Sequence, residues 1–371
     1  MQLITFYNDA GQYVAEDVKN SVTHNSILSA NVTGITNSEN FAPLMNAPFD
    51  AFLLAITVNR FLERVLALIR RASLNKPVFI VKLSTLQKRL PVFETETFLM
   101  NRVEKINPNT EKAGDKKPYL VHIETHICDH CNLNCKACNN FSPFVKKRSP
   151  ASLDQWANDI MQLSNIYRIG RILLLGGEPL IEPELTKEFI RVTRFFSPNS
   201  DILLLTNGLL VPNMNSDFWD VLNNNNVTLS ISAYPVTMLK MSEVLNTLRV
   251  HGVSYVYHPA LNFSKRLTLS NTHDVSFNSL LCGSSGCHYV RNGYIYKCPD
   301  ASLIKYFDDA VGTNLKSKCG IPIDEALRNP VEVLEKLIEP IDLCSYCDIK
   351  NSHSISWEPV RGTPEVKAWI L

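Results

Sequence analysis

Ten cysteines are spread over the 371 residues, and three of them are crowded into the stretch Cys131-Asn132-Leu133-Asn134-Cys135-Lys136-Ala137-Cys138. This C-x3-C-x2-C stretch follows a strand-like apolar run, Tyr119 to Ile127. Thiolates on one tight loop can converge on a single iron–sulfur cube, and a fully ligated four-iron cluster takes four cysteines. Three close cysteines therefore leave one iron open for a ligand from outside the chain, much as a catalytic metal keeps a vacant position. Cys128 permits a second parsing, Cys128-x2-Cys131 with Cys135-x2-Cys138, which is a zinc pattern. Paired zinc knuckles normally keep about a dozen or more residues between their pairs, and only three lie here. Cys128 is read as a bystander.

Six further cysteines lie near the C-terminal end: Cys282, Cys287, Cys298, Cys319, Cys344 and Cys347. Asn292-Gly293 sits between Cys287-His-Tyr-Val-Arg and Tyr-Ile-Tyr-Lys-Cys298. Asn-Gly between alternating apolar residues is the favoured two-residue hairpin turn. In that hairpin Cys287 and Cys298 become opposed partners. Cys344 and Cys347 add a C-x2-C pair. A structural zinc could use the same kind of four-cysteine set as a cluster.

The elements that must hold these groups alternate in type. Strands are predicted at 119–127, 171–175, 201–205, 227–232 and 253–257, and helices at 152–167, 183–196, 216–223 and 236–250. Ser152 with Gln155 three residues on is a capping-box start. Repeated β-α units predict a parallel sheet, whose ligands sit at the C-terminal strand ends. Three motifs fall at that edge: the cysteine loop, Gly176-Gly177-Glu178-Pro179 and Thr206-Asn207-Gly208. Glycines there allow a ligand to approach bare backbone. On the first strand His122, Glu124 and His126 share one face, opposite Val121, Ile123 and Ile127. These three are candidate catalytic groups that bind a polar substrate or move protons. The competing reading is a set of buried structural groups that hydrogen-bond one another. Strand 227–232 likewise sets Thr228, Ser230 and Ser232 against Val227, Leu229 and Ile231, a polar face suited to a barrel lumen.

Before residue 115 the chain reads as strand (1–7), loop (20–46), strand (49–57), helix (60–74) and strand (77–83), a small parallel α/β unit. No G-x-G-x-x-G occurs, so a dinucleotide site is unsupported, and a docking or scaffolding role is expected. Residues 107–117 form a polar linker. The formal net charge of +1 argues against nucleic acid and anionic membrane as partners. The apolar stretch from Phe49 to Leu74 is interrupted by Asn59, Arg60, Glu63, Arg64, Arg70 and Arg71, which excludes a membrane span. Ten cysteines without a secretion signal read as metal ligands, and the expected compartment is the cytoplasm.

Cys131, Cys135 and Cys138 followed by Gly176-Gly177-Glu178-Pro179 resemble the radical S-adenosylmethionine (radical SAM) superfamily. The resemblance spans about residues 118–350. It implies that the three cysteines hold a [4Fe-4S] cluster whose open iron binds S-adenosylmethionine. Reductive cleavage then gives a 5'-deoxyadenosyl radical that takes hydrogen from a substrate. By resemblance Gly176, Gly177, Glu178 and Pro179 meet the methionyl part, and Thr206 and Asn207 reach the ribose or carboxylate, with Ser230 and Ser232 beside the ligand. The family places an aromatic residue where this chain has Ala137, and Phe141 is expected to cover the adenine instead. The C-terminal cysteines resemble a twitch or SPASM-type extension, since Cys282, ten residues, Gly293, four residues and Cys298 match its spacing. Cys344 and Cys347 would complete one auxiliary [4Fe-4S] cluster. Hairpin geometry favours Cys287 over Cys282 as its ligand and family spacing favours Cys282, while Cys319 is a spare. Molybdenum-cofactor cyclases end in Gly-Gly, unlike Lys367-Ala-Trp-Ile-Leu371.

The implied architecture is α/β: a partial (β/α)6 radical SAM barrel at 118–260, an N-terminal α/β domain at 1–115 and a small cysteine-rich α+β domain at 261–371. The implied activity is oxidation or epimerisation of a sugar, aminocyclitol or sugar nucleotide, by analogy with twitch-type aminocyclitol dehydrogenases. A second possibility is modification of a ribosomally made peptide, although such maturases often carry a winged-helix leader-binding domain that 1–115 does not resemble. A third is an iron–sulfur or zinc binding protein without SAM chemistry. The resemblance also implies an electron donor such as flavodoxin or ferredoxin.

Overall fold

The computed structural model describes residues 2–7, 25–31, 51–55, 59–72, 78–81, 103–106, 117–315 and 319–371. The chain divides into two compact units, Met1–Val121 and His122–Leu371.

In the first unit β1 (Gln2–Tyr7), β2 (Asn25–Asn31), β3 (Ala51–Ala55), β4 (Val78–Val81) and β5 (Val103–Ile106) form one sheet in the order β2-β1-β3-β4-β5. All pairs are parallel except β4 with β5. Helix α1 (Asn59–Arg71) buries Leu62, Val65, Leu66 and Ile69 at helical spacing. Two elements depart from expectation. Residues 25–31 lie in the stretch assigned to loop, yet they pair in register along β1. Their Asn and Ser content argued for a turn, but an edge strand needs only one row of partners and tolerates polar residues. Strand β5 was not anticipated.

The second unit is built on an eight-stranded, mostly parallel sheet in the order β10-β9-β8-β7-β6-β12-β13-β14. Its strands are β6 (Tyr119–Cys128), β7 (Arg168–Gly176), β8 (Asp201–Thr206), β9 (Val227–Ala233) and β10 (Tyr255–Pro259), followed by β12 (His288–Arg291), β13 (Tyr294–Tyr296) and β14 (Ile321–Pro322). Between them run α2 (Leu153–Ile166), α3 (Pro183–Phe196), α4 (Ser216–Asn224), the single turn α5 (Pro235–Met238) and α6 (Met241–Val250). This is an open, partial (β/α) barrel, and its strand and helix positions follow the apolar periodicities within a few residues. Ser152 caps α2 by accepting from the Gln155 backbone N–H at 3.2 Å. The sixth parallel strand is not next to β10. It is β12, supplied by the cysteine-rich segment and paired with β6.

The Asn292-Gly293 turn closes the β12–β13 hairpin with φ of 51° and 80°, the pair of positive angles that a type I′ turn requires. The Gly293 N–H is anchored on Asp159 of α2 at 3.0 Å. The remaining elements are β11 (Asn262–Lys265), α7 (Val275–Leu281), α8 (Pro299–Leu303), α9 (Lys305–Val311), α10 (Ile323–Arg328), α11 (Pro330–Ile338) and β15 (His353–Ser356), with β11 and β15 antiparallel. An apolar cluster of Phe141, Phe144, Tyr289, Phe307 and Trp369 joins the cysteine loop to this C-terminal part. No helix among the described residues is long and apolar enough to cross a membrane.

Candidate functional site

Strand β6 is buried along its whole length and delivers Cys131, Cys135 and Cys138 just beyond its C-terminal end. The three thiols are close enough to feel one another's charge. Burial and that mutual repulsion push the Cys135 thiol up to about 12, with the Trp357 N–H opposing the shift. Cys131 and Cys138 are raised by burial first. A thiol that resists ionisation alone is ionised readily by a metal, so this donor set fits a thiolate-ligated cluster. Cys128 stands apart. It is buried and its Sγ lies 3.3 Å from the Glu178 carbonyl oxygen, as befits a structural thiol.

The glycine motif meets the cysteine loop directly. A Cβ on Gly176 would sit 2.3 Å from the Cys128 carbonyl oxygen, and one on Gly177 would sit 2.2 Å from that of His130. The Gly177 and Glu178 N–H groups donate to those same two carbonyls at 2.8 and 3.1 Å. The bare backbone expected to admit a ligand is thus approached by the cysteine loop itself. Asn140 Nδ2 adds a bond to the Gly176 carbonyl at 2.9 Å. Pro179 begins a short 3-10 turn and is buried.

Glu178 is wholly buried. Its Oε1 accepts from Thr206 Oγ1 (2.7 Å) and Leu180 N (3.0 Å), and its Oε2 accepts from Asn207 N (2.8 Å). Asn207 Nδ2 reaches Asn132 Oδ1 inside the cysteine loop at 2.7 Å. The three motifs are therefore one hydrogen-bonded assembly, in which Glu178 and Thr206 act as braces. Burial raises the Glu178 carboxyl to about 7 against the hydrogen bonds that lower it. A carboxyl raised on folding contributes stability that is present in full below its unfolded value and is lost as pH rises through about 7. The stability advantage of wild type over Glu178→Gln is expected to shrink by on the order of 3 kcal/mol between pH 5 and pH 8. Denaturant midpoints at the two pH values check this, and a pH-independent difference would refute it.

The other expected positions divide. Ser230 is buried and Ser232 is half-buried on β9. Phe141 is 4% exposed, with its ring 6.0 Å from Phe307 in the C-terminal apolar cluster. It adopts φ 54°, as does the buried Ala137. Tyr234, unremarked in the sequence, faces the loop: burial and then the proximity of Cys138, Cys135 and Cys131 raise its hydroxyl well above its ordinary value.

On β6, His122 Nε2 lies 2.9 Å from Glu124 Oε1, and His126 Nδ1 lies 2.8 Å from Asp129 Oδ1. Asp129 also takes two bonds from Arg291, at 2.9 and 2.6 Å, and one from the Tyr306 hydroxyl. Burial would raise the Asp129 carboxyl, but the His126 and Arg291 hydrogen bonds hold it well below the usual carboxylate range. His126 is thereby tied to a structural network that joins β6, β12 and α9.

The second cysteine set surrounds a small cleft lined by Cys282, Cys298, Cys344 and Cys347. Cys287 is not among its lining residues. The hairpin opposes it to Cys298, yet its sulfur lies with His122 and Glu124. Asn278, buried beneath the cleft, donates to the carbonyls of Cys344 (2.9 Å) and Cys347 and so fixes the C-x2-C turn. Two buried cations flank the thiols. Arg266 is held by Asp300 at 2.6 Å, and Lys297 donates to the Leu337 and Ile338 carbonyls at 3.2 and 2.9 Å. Both lower the cost of thiolate charge, which fits an anionic cluster bound there. Cys319 is outside the cleft lining and is pushed up to about 11 by burial.

The last described segment closes the loop from the other side. Trp357 Nε1 donates to Cys135 Sγ at 3.1 Å, Lys136 N to Glu358 O at 2.9 Å, Val360 N to Asn134 O at 2.6 Å, and Trp369 Nε1 to Cys138 O at 3.1 Å. The family resemblance spans about residues 118–350, and the sequence does not announce this clamp beyond it. Two tryptophans in a polar tail were the signal available.

Residues 123–243 match the 4Fe-4S single cluster domain family. This chain is similar to several curated proteins over part of its length. It is 27% identical over 137 residues to a Methanocaldococcus jannaschii protein described as a glycyl-radical enzyme activating enzyme, covering 36% of this chain and 49% of that one. It is 30% identical over 95 residues to a GTP 3',8-cyclase of Alkaliphilus oremlandii, covering 25% and 29% respectively. The chain thus spans half or less of the curated relatives it matches. Among solved structures, the chain aligns with BtrN in complex with AdoMet and 2-DOIA at 18% identity and TM-score 0.41, over 62% of this chain and 93% of that one.

Proposed function

We propose that the chain is a radical SAM enzyme that abstracts hydrogen from a polar substrate and oxidises or epimerises a sugar, aminocyclitol or sugar nucleotide. The observation that carries this reading is the hydrogen-bonded union of the cysteine loop, the glycine motif and Thr206-Asn207 at one sheet edge, with a second four-cysteine cleft in the same unit. Cys131, Cys135 and Cys138 would hold a [4Fe-4S] cluster with S-adenosylmethionine, and Cys282, Cys298, Cys344 and Cys347 an auxiliary [4Fe-4S] cluster. When bound, the first supplies the electron that cleaves S-adenosylmethionine, and the second accepts an electron from the oxidised substrate. The chain's own part is positional. Asn132 and Asn207 fix the loop, Trp357 donates to a ligand sulfur, and the polar face of β6 with Ser230 orients hydroxyl groups. A flavodoxin or ferredoxin would supply electrons from outside.

The test is anaerobic reconstitution, with iron and sulfide counted and 5'-deoxyadenosine measured after addition of S-adenosylmethionine and a strong reductant. About eight irons per chain are expected, with 5'-deoxyadenosine formed and then lost in the Cys131/Cys135/Cys138→Ala variant. No iron and no cleavage would leave a zinc binding protein. Cleavage that is stimulated by a short peptide and not by sugars would redirect the substrate to ribosomal peptides.

A further inference from the structure

We infer that His122, Glu124 and Cys287 form a divalent-metal site of the zinc kind, distinct from both cysteine sets. A ring nitrogen, a carboxylate oxygen and the thiol sulfur of these residues all lie within 4.8 Å of one another. His122 and Glu124 are 4% and 7% exposed, and Cys287 is half-buried. The arrangement follows from sheet register. Strand β12 runs parallel to β6 with His288 beside Ile123 and Tyr289 beside Glu124. One step back sets Cys287 beside His122, and alternation puts both on the face that carries Glu124.

Two further observations point to an ion. His122 Nδ1 is buried and has no hydrogen-bond partner among the described residues, while Nε2 is 2.9 Å from Glu124 Oε1. A buried ring nitrogen left without a partner calls for water or metal. The donor set is also selective. Thiolate, imidazole and carboxylate together suit zinc, whereas calcium and magnesium take oxygen. Thiolate and carboxylate together balance a divalent charge, and binding expels the Cys287 thiol proton to solvent. Cys287, like Cys128 and Cys319, belongs to neither the loop set nor the cleft lining. Three protein ligands leave a fourth position open, as catalytic zinc sites do. That position would take a hydroxyl or carbonyl oxygen of the substrate. This last step rests on the function proposed above, whereas the metal site does not.

The experiment uses the reconstituted full chain, given zinc, freed of unbound metal and analysed for zinc and iron by mass spectrometry. His122→Gln, Glu124→Gln and Cys287→Ser are compared with wild type. About one zinc per chain is expected in wild type and is lost in His122→Gln and Cys287→Ser with iron unchanged. The readout is the zinc difference between wild type and variant at whatever iron content is found. Failure of the cluster reading, seen as missing iron, is therefore distinguishable. Cobalt(II) in place of zinc should give a thiolate charge-transfer band in wild type and Glu124→Gln that is absent in Cys287→Ser. Equal zinc in wild type and variants, a cobalt spectrum without the thiolate band, or loss of iron together with zinc in Cys287→Ser would each overturn the inference.

Discussion

Gly177→Ala is expected to empty the cysteine loop of iron and to destabilise the chain by about 3 kcal/mol, the upper end of the usual cost of overpacking. The added methyl group would stand 2.2 Å from the His130 carbonyl oxygen, 2.4 Å from its carbon and 2.6 Å from the Asp129 carbonyl oxygen. All three are backbone atoms, so no rotamer change relieves the clash. Either β7 or the loop must shift, and the Gly177 and Glu178 bonds to Cys128 and His130 break with it. Gly283→Ala is the matched control, since its Cβ would meet nothing within 4 Å. Iron per chain and the denaturation midpoint decide the matter. Wild-type iron content in Gly177→Ala would mean that the two backbones are not in contact.

Arg291→Met is expected to cost about 3–5 kcal/mol, the penalty for leaving a buried carboxylate without its cation. Asp129 is 1% exposed and holds three partners at once, His126, Arg291 and Tyr306. Removing the guanidinium strands the charge, whereas removing both charges does not. The Asp129→Asn/Arg291→Met double variant should therefore recover part of the loss, and a double-mutant cycle on denaturant midpoints measures the coupling. A cost under about 1 kcal/mol for Arg291→Met would show the pair to be solvated like a surface salt bridge.

The barrel was legible because its signals are local. Apolar runs of strand length alternate with helical periods from 119 to 250, and Asn292-Gly293 announces its own turn. Residues 25–31 were misread because Asn and Ser speak for loops unless a neighbouring strand recruits them, and that neighbour lies far off in sequence. The cysteine loop could be read from spacing alone. The choice between Cys282 and Cys287 could not, because it depends on β12 leaving the C-terminal part to pair with β6. Pattern likewise assigned the glycine motif and Glu178 to a ligand, but their bonds to the cysteine loop, Thr206 and Asn207 could not be read from it. A buried brace and a ligand contact need the same residue types.

The clamp formed by residues 357–369 sets an order of events during synthesis. Lys136 and its partner Glu358 are 222 positions apart. At roughly 5–20 residues per second, the cysteine loop waits about 10–45 s before Trp357 exists to cover it. Throughout that interval the three thiols are exposed to metal, oxygen and delivery proteins, and afterwards the tail lies across them. The chain thus has a limited period in which its loop is most readily loaded, and a nascent chain whose loop thiols are oxidised within it would emerge folded but without its metal.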